Sequence, residues 1–273
     1  MSNKKFRNVT TSDQVQKPTK PQTFDIRYEL MRPWADILFR TELPPYILDK
    51  MIKISDEILE DRNKIPWGKN LAGQIANEPL IPHEYLERDG LTGFFVNIVL
   101  EYLQCCLIQT ATEGARAEMI KEKEKYSITL KSMWIIEQQP GEYNPAHVHT
   151  DCDVSAVMYL KVPEFLPSEK PERDDDGSIY FIGAALDGNP TLKKGVVKIK
   201  PRIGEFYIFP KHMLHTVYPY KTNDNFARRS ISFNASFNYK NEEYTNSFAF
   251  ASSRGEGEAI GPAATDKVIL KGS

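Results

Sequence analysis

Four of the five histidines in this chain lie in two short clusters. His147 and His149 occur in NPAHVHTD, and His212 and His215 occur in FPKHMLH. Asp151 follows His149 by two residues, and His215 adds a second imidazole at the end of an apolar, strand-like run. Two imidazoles and one carboxylate form the facial triad that binds Fe(II) on one side and leaves the other coordination positions open. The spacing therefore predicts an iron site with His149, Asp151 and His215 as ligands.

His147 leaves an alternative open within the first cluster. On an extended chain it lies on the same side as His149 and Asp151, because successive side chains of a strand alternate between the two faces. It could replace one of these ligands, support them from behind or contact a substrate. We favour His149 as the ligand because only this histidine has an aspartate two residues later. His212 has the wrong phase for the strand that follows, and we expect an exposed loop residue there.

A second polar cluster lies in RRSISFN at positions 228–234. Read as a strand, the segment turns one set of residues to one side, namely Arg228, Ser230, Ser232 and Asn234. A guanidinium beside a hydroxyl can bind a carboxylate, because arginine donates to both oxygens in a fork and serine adds a donor. We expect Arg228 and Ser230 to clamp a dianionic cosubstrate. Arg229 ranks second because it shares a face with Ile231 and Phe233, and a surface ion pair is the alternative for Arg228.

Composition limits the class of protein. The chain has 273 residues, enough for a large core, and a formal net charge of -2, which gives no electrostatic argument for nucleic acid or a membrane surface. We expect no apolar run to reach the roughly 18 residues of a membrane helix. Three cysteines, Cys105, Cys106 and Cys152, make a poor disulfide framework. We expect a soluble protein of a reducing compartment: the cytoplasm, or the host cytoplasm if the source is a virus.

The elements that must position these residues divide the chain unevenly. Helical spacing of apolar residues predicts helices over residues 45–62 and 91–108. From Ser127 onward, short β-branched and aromatic runs separated by Gly, Pro and Asn predict many strands. We therefore predict a mainly β fold with N-terminal helices, a jelly-roll, cupin-like barrel. The predicted parts are a disordered segment (1–23), a helical support region (24–126), a β core (127–245) and a C-terminal tail (246–273).

Four stretches carry a resemblance to a known family. They are NPAHVHTDCDVSAVMYLKVP, GSIYF, KPRIGEFYIFPKHMLHTVYPY and RRSISFN, and they occur in this order between about Trp134 and Asn234. Together they resemble the Fe(II)/2-oxoglutarate-dependent oxygenases, with prolyl-hydroxylase-like members and a subgroup frequent in marine phages and bacteria as the nearest branches. Relatives in that subgroup often show H-x-H-P-N at His147 to Asp151. Weaker matches in TELPPYILDKM and NLAGQIANEPLI extend the resemblance over most of residues 40–240.

The resemblance implies a fold and a set of site residues. The family fold is a double-stranded β-helix with flanking helices. By the family motif, the iron ligands are His149, Asp151 and His215. The R-x-S pair that binds the distal carboxylate of 2-oxoglutarate corresponds to Arg228 and Ser230. Tyr159 matches a tyrosine that contacts the same carboxylate in prolyl-hydroxylase-like members, with a packed core aromatic as the alternative.

The implied activity is that of a dioxygenase, in particular a hydroxylase. Its cofactors would be Fe(II), 2-oxoglutarate and O2, and decarboxylation of 2-oxoglutarate to succinate would be coupled to oxidation of a peptidyl proline or a small molecule. We expect no nucleic-acid or membrane partner, and the oligomeric state is not readable. The alternative is a cupin-like metal- or ligand-binding barrel without oxygenase activity, which has no use for Arg228 and Ser230 as a clamp.

Overall fold

The computed structural model describes residues 23–31, 36–110, 115–170, 172, 174–183, 195–224, 226–239, 247–248 and 267–271. The segment predicted to be disordered lies outside these residues, except for its last position, Thr23. Most of the predicted C-terminal tail also lies outside them. The described residues form four α-helices and twelve β-strands.

The helices lie in the first half of the chain. They are α1 (Pro45–Glu60), α2 (His83–Arg88), α3 (Thr92–Thr110) and α4 (Arg116–Glu122), with 3-10 turns at Gly68–Asn70 and Lys123–Lys125. α1 begins at Pro45, directly after Pro44. A proline suits the first helical position because it has no N–H to leave unpaired. Its apolar residues recur at helical spacing and are buried on one face. Both predicted helices are therefore observed, and α4 forms within the charged segment that follows α3.

The strands supply most of the remaining structure. They are β1 (Thr23–Met31), β2 (Leu38–Glu42), β3 (Tyr126–Gln138), β4 (Asn144–His147), β5 (Val154–Lys161), β6 (Ile179–Ile182), β7 (Val196–Ile199), β8 (Glu205–Pro210), β9 (His215–Val217), β10 (Arg228–Tyr239), β11 (Ser247–Phe248) and β12 (Lys267–Lys271). The larger sheet has the order β11-β3-β10-β5-β8-β2-β1-β12, and the smaller sheet has the order β4-β9-β6-β7. Pairing is antiparallel except at the edges β1–β12 and β11–β3.

Two apolar clusters cover the two faces of the larger sheet. One joins α1 and α3 to the sheet, for example through Phe95, whose ring centre lies 5.5 Å from that of Phe233. The other joins the larger sheet to the smaller one, with Tyr159 and Phe209 on one side and Phe181 on the other. Every residue of β5 except the last is buried, because both faces of this central strand are covered. The layers are therefore helices, larger sheet and smaller sheet, and the predicted double-stranded β-helix is confirmed.

α3 is apolar over most of its length. Within the described residues, Thr92–Gln109 is long and apolar enough to cross a bilayer by length and composition. The expectation from the sequence that no apolar run is long enough for a membrane helix is therefore wrong by length and composition. The helix packs against the larger sheet, with Phe94, Phe95 and Ile98 fully buried. Its low polarity is what a core helix requires.

The region before residue 127 does more than support the barrel with helices. It contributes β1 and β2 to the larger sheet, where β2 pairs with β8. The last described strand, β12, pairs in parallel with β1. The predicted domain boundaries themselves stay predictions.

Candidate metal centre and adjoining cavity

Two strands of the smaller sheet place His147 and His215 opposite one another. His147 is the last residue of β4, His215 is the first residue of β9, and the two are partners in the antiparallel pairing. His149 follows β4 by two residues, and its backbone N–H donates to the carbonyl oxygen of Lys211 at 2.9 Å. These contacts bring two distant parts of the sequence to one point.

The three imidazoles form a group able to hold a metal ion. One potential ligand atom from each of His147, His149 and His215 lies within 4.8 Å of the other two. The ring centres are 4.2 Å apart for His147 and His215 and 5.1 Å apart for His149 and His215. The predicted convergence of His149 and His215 is therefore present, and His147 is the third member of the group.

Hydrogen bonds and burial prepare these imidazoles for a metal. The Nδ1 atoms of His147 and His215 lie 2.7 and 2.8 Å from the carbonyl oxygens of Pro145 and Met213, so each Nδ1 donates and each Nε2 keeps its lone pair. Burial lowers the pKa of all three side chains, to about 4 for His149 and about 3 for His215. They are therefore neutral at pH 7, as metal binding requires.

Asp151 lies outside this group. β4 ends at His147, so the strand alternation that would put His149 and Asp151 on one face does not continue. Among the described residues, Asp151 is the one non-glycine with a positive φ, 56°. It is exposed and lines a neighbouring cavity of about 270 Å³ together with Trp67 and Trp134. Its role as an iron ligand stays a prediction.

Two other residues close to the histidines in sequence take no part in the group. His212 is exposed, and its Nε2 lies 2.9 Å from Oδ1 of Asp36. Cys152 is buried, and burial raises the pKa of its thiol to about 11. Neither lines the cavity beside the histidines. The position of His212 agrees with the exposed loop residue expected from the sequence.

The cavity beside the histidines has a volume of about 240 Å³. Its wall includes alternate residues of two neighbouring strands, namely Arg228, Ser230, Ser232 and Asn234 of β10 and Ser155, Val157 and Tyr159 of β5. The intervening residues of β10, Ile231, Phe233 and Ala235, belong to the apolar cluster on the helix side. The strand therefore follows the predicted alternation, with its polar face toward the cavity.

Arg228 is a buried cation in the cavity wall, 1% exposed. Its Nη1 donates to the carbonyl oxygen of Gly177 at 2.7 Å, and its Nη2 donates to the side-chain oxygen of Gln138. Its Nε has no hydrogen-bond partner among the described residues, and its guanidinium carbon lies 5.6 Å from the ring centre of Tyr159. Neutral acceptors hold the side chain in place without neutralising it. Because a buried charge needs a counter-ion, this wall is suited to an anion.

Ser230 and Tyr159 lie beside this cation. They are partners across the β10–β5 pair, both are buried, and both line the cavity. Burial raises the pKa of Tyr159 to about 12, so its phenol is neutral and can donate a hydrogen bond. The three residues predicted to bind the cosubstrate thus share one wall. Their roles stay predictions.

Arg229 turns to the opposite face of β10. Its Nε and Nη2 contact the two carboxylate oxygens of Glu137 at 2.6 and 3.0 Å, and its Nη1 contacts Oγ of Ser55 at 3.0 Å. Nη1 also pairs with Asp56 of α1. Arg229 therefore ties α1 to the larger sheet, and Arg228 is the arginine that reaches the cavity.

Sequence reasoning missed two residues of the cavity region. Gln138 holds Arg228 from a distance of 90 residues along the chain. Glu78 lines the cavity, and its Oε2 is buried with no hydrogen-bond partner in the residues that the structure describes. Glu78 lies in NLAGQIANEPLI, a stretch that carries part of the family resemblance, but the sequence offers no signal for its neighbours in space.

Comparison with known families gives one match. Residues 132–234 match the family model described as "Putative 2OG-Fe(II) oxygenase". The matched range begins in β3 and ends in β10, and it includes the three histidines and Arg228. No curated protein matches the chain.

Solved structures of similar shape are distant in sequence. One is an oxidoreductase of the 2OG-Fe(II) oxygenase family from Burkholderia pseudomallei, with 12% identity, a TM-score of 0.41 and coverage of 72% of this chain and 84% of that one. Another is a Pseudomonas putida prolyl-4-hydroxylase, with 16% identity, a TM-score of 0.41 and coverage of 75% and 93%. A third is EvdO2 from Micromonospora carbonacea var. aurantiaca, with 11% identity, a TM-score of 0.44 and coverage of 75% and 89%.

Proposed function

We infer that this chain is an Fe(II)- and 2-oxoglutarate-dependent oxygenase, the family whose model matches residues 132–234, and we propose that His147, His149 and His215 hold its iron. The observation that carries this ligand set is the convergence of three neutral imidazoles, one ligand atom from each, within 4.8 Å. Two of them already donate Nδ1–H to backbone carbonyls, which fixes the tautomer that leaves Nε2 for the metal.

Arg228 is proposed to bind the distal carboxylate of 2-oxoglutarate. Support comes from its full burial, its unpartnered Nε and its place in the wall of the cavity that the histidines also line. Ser230 and Tyr159 would add hydroxyl donors to the same carboxylate. A fixed cation aligned by Gly177 would orient the cosubstrate, because two hydrogen bonds already hold the guanidinium before the ligand arrives.

The chemistry divides between the bound groups and the chain. When bound, Fe(II) with 2-oxoglutarate and O2 supplies the oxidising power, and 2-oxoglutarate is converted to succinate and CO2 as the substrate is oxidised. The chain would supply three neutral ligands, a carboxylate clamp and the cavity beside them. The substrate is proposed to be a small molecule or a peptide side chain that is hydroxylated in this cavity.

The test is an anaerobic titration of the full chain with Fe(II) and then with 2-oxoglutarate. Bidentate binding of 2-oxoglutarate to Fe(II) gives a weak visible absorption band. We expect this band in the wild type and in His212→Ala, a matched control that removes an exposed histidine three residues from His215. We expect no band in His215→Ala. Absence of the band and of 2-oxoglutarate-dependent succinate release in the wild type would favour a cupin-like binding barrel.

A second pair of variants separates the two ligand sets. If His147 is the third ligand, His147→Ala loses the band and Asp151→Ala keeps it. If the set predicted from the sequence is correct, Asp151→Ala loses the band and His147→Ala keeps it. Iron content measured after removal of loosely bound metal gives the same comparison without turnover.

A further inference from the structure

Glu78 lies in a short segment that runs beside the larger sheet. The backbone N–H of Ile135 donates to the carbonyl oxygen of Pro79 at 2.9 Å, and that of Glu137 donates to the carbonyl oxygen of Asn77 at 3.1 Å. The backbone N–H of Trp67 donates to the carbonyl oxygen of Glu78 at 2.9 Å, which closes the loop between these two residues. These bonds on both sides fix the backbone of Glu78, so its side chain has a defined place in the cavity wall.

The carboxylate of Glu78 is buried and incompletely bonded. The residue is 4% exposed, it lines the same cavity as the three histidines, and its Oε2 has no hydrogen-bond partner within the described part of the chain. A buried carboxylate is costly without a donor or a cation, and orphaned polar atoms of this kind occur where a ligand supplies the partner. An unpaired acid in the wall of a ligand cavity therefore points to a recognition group.

Two glycines leave room for this carboxylate. A Cβ added at Gly68 would lie 3.3 Å from Oε2 of Glu78, and a Cβ added at Gly73 would lie 3.1 Å from Oε1. A larger residue at either position would crowd the carboxyl group. The loop over residues 68–73 thus keeps space around the acid.

Charge decides which kind of group fits beside Glu78. Burial, and to a smaller extent the nearby carboxylate of Glu142, raise its pKa to about 7. The potential at this site is therefore negative, and a cation would stabilise the ionised form against both effects. Among the described residues that line the cavity, Arg228 is the one lysine or arginine, and the proposed function assigns it to 2-oxoglutarate.

We propose that Glu78 recognises a cationic nitrogen, an ammonium or a guanidinium group, on the substrate that is oxidised in this cavity. That the bound molecule is a substrate rests on the proposed function. The binding of a cation at Glu78 does not itself require iron. It makes Glu78 a specificity-determining residue that favours basic over neutral or acidic substrates. The rival explanation is a structural one, in which the carboxylate only fills the loop.

The test compares n-butylguanidinium with its neutral isostere n-butylurea. Binding of both probes to the full chain is measured by ligand-observed NMR at pH 8, first with a chelator and then, by calorimetry under anaerobic conditions, with Fe(II) and 2-oxoglutarate. We expect the wild type to bind the cation at least tenfold more tightly than the urea. The ratio should fall to within about twofold of unity in Glu78→Gln, because the amide has the same shape and no charge.

Two further variants keep the result decisive. Glu78→Met removes the charge without a buried polar group, and it should also lose the preference, which covers the case of a poorly folded Glu78→Gln. Glu142→Gln is the matched control, since Glu142 does not line the cavity, and it should keep a clear preference for the cation. Equal affinity of the wild type for both probes, or a preference that survives in both Glu78 variants, overturns the proposal.

The absorption band of the Fe(II) and 2-oxoglutarate complex, recorded in the same samples, separates the two proposals. A band without preference for the cation overturns only the role of Glu78. A preference that disappears with Glu78, in a protein without the band, supports cation recognition and overturns the oxygenase function instead.

Discussion

Replacing Glu78 with glutamine should change how the stability of the metal-free protein depends on pH. Burial, and then the nearby carboxylate of Glu142, raise the pKa of Glu78 from 4.5 to about 7 in the folded chain. The folded state therefore binds this proton more tightly than the unfolded state does. The stability that Glu78 contributes is fully present below pH 4.5 and is lost as the pH rises through 7.

The size of the effect follows from the two pKa values. One pKa unit corresponds to about 1.4 kcal/mol, so a rise from 4.5 to about 7 corresponds to about 3 kcal/mol. The glutamine in Glu78→Gln has no proton to lose, so the contribution of this position to stability does not change over this pH range. The free energy of unfolding of Glu78→Gln, relative to that of the wild type, should therefore increase by about 3 kcal/mol between pH 4.5 and pH 8, mostly between pH 5 and pH 7.

Urea denaturation at a series of pH values, with a chelator present, measures this difference. The pKa values of the buried histidines also differ between the folded and unfolded states. This difference is present in both proteins, so its contribution cancels in the comparison. Glu142→Gln, which removes the neighbouring charge, should reduce the pH dependence of the wild type without abolishing it. A difference between Glu78→Gln and wild type that does not vary with pH would refute a raised pKa at this carboxyl group.

Three further substitutions test the arginine face and its support. Arg228→Gln should raise the Kd for 2-oxoglutarate about 30-fold in the anaerobic titration, the effect of losing about 2 kcal/mol of charge-assisted bonding; an unchanged Kd would exclude the clamp. Arg229→Gln should leave the Kd for 2-oxoglutarate within about twofold of the wild-type value. It should lower the free energy of unfolding, measured in urea, by about 3 kcal/mol, because Glu137 loses its partner. A raised Kd with unchanged stability would reverse the two roles. Gly177→Ala should also raise the Kd for 2-oxoglutarate. The φ of Gly177 is 66° and a methyl group would meet a neighbouring phenylalanine ring, so the backbone would shift and displace the carbonyl that holds Arg228. Gly141→Ala is its control, with a φ of 87° and open space around the position, and equal Kd values for the two variants would contradict this reasoning.

The alternation of residues along β10 could be predicted because the strand lies between two packed layers. Successive side chains of a strand point to opposite faces, so a polar and an apolar face in RRSISFN must meet different surroundings. Arg228 and Arg229 are neighbours in sequence, but one lines the cavity and the other pairs with Glu137 on the helix side. The same rule correctly puts Tyr159 on the cavity side of β5.

The same rule fails directly after β4. Strand β4 ends at His147, and Asp151 adopts a left-handed backbone conformation. Asp151 therefore lies outside the group to which His147 and His149 both belong, and His147 meets His215 because β4 pairs with β9. A strand of four residues gives too little pattern to show where it ends.

Other features depend on contacts between segments that no local pattern connects. Gln138 supports Arg228 across 90 residues. The space around Glu78 depends on Gly68 and Gly73, and its pKa depends on Glu142. The pairing of β12 with β1 joins the two ends of the described chain. Such contacts follow from the closed topology of the fold, and the sequence alone does not reveal them.

A crystal structure of the full chain grown without oxygen, with Fe(II) and 2-oxoglutarate, tests the central claim most directly. We predict iron bound by one nitrogen each from His147, His149 and His215, with a carboxylate of 2-oxoglutarate against Arg228. Iron bound by the carboxylate of Asp151 while His147 stays unbound, or no iron between these histidines, would contradict the proposed ligand set.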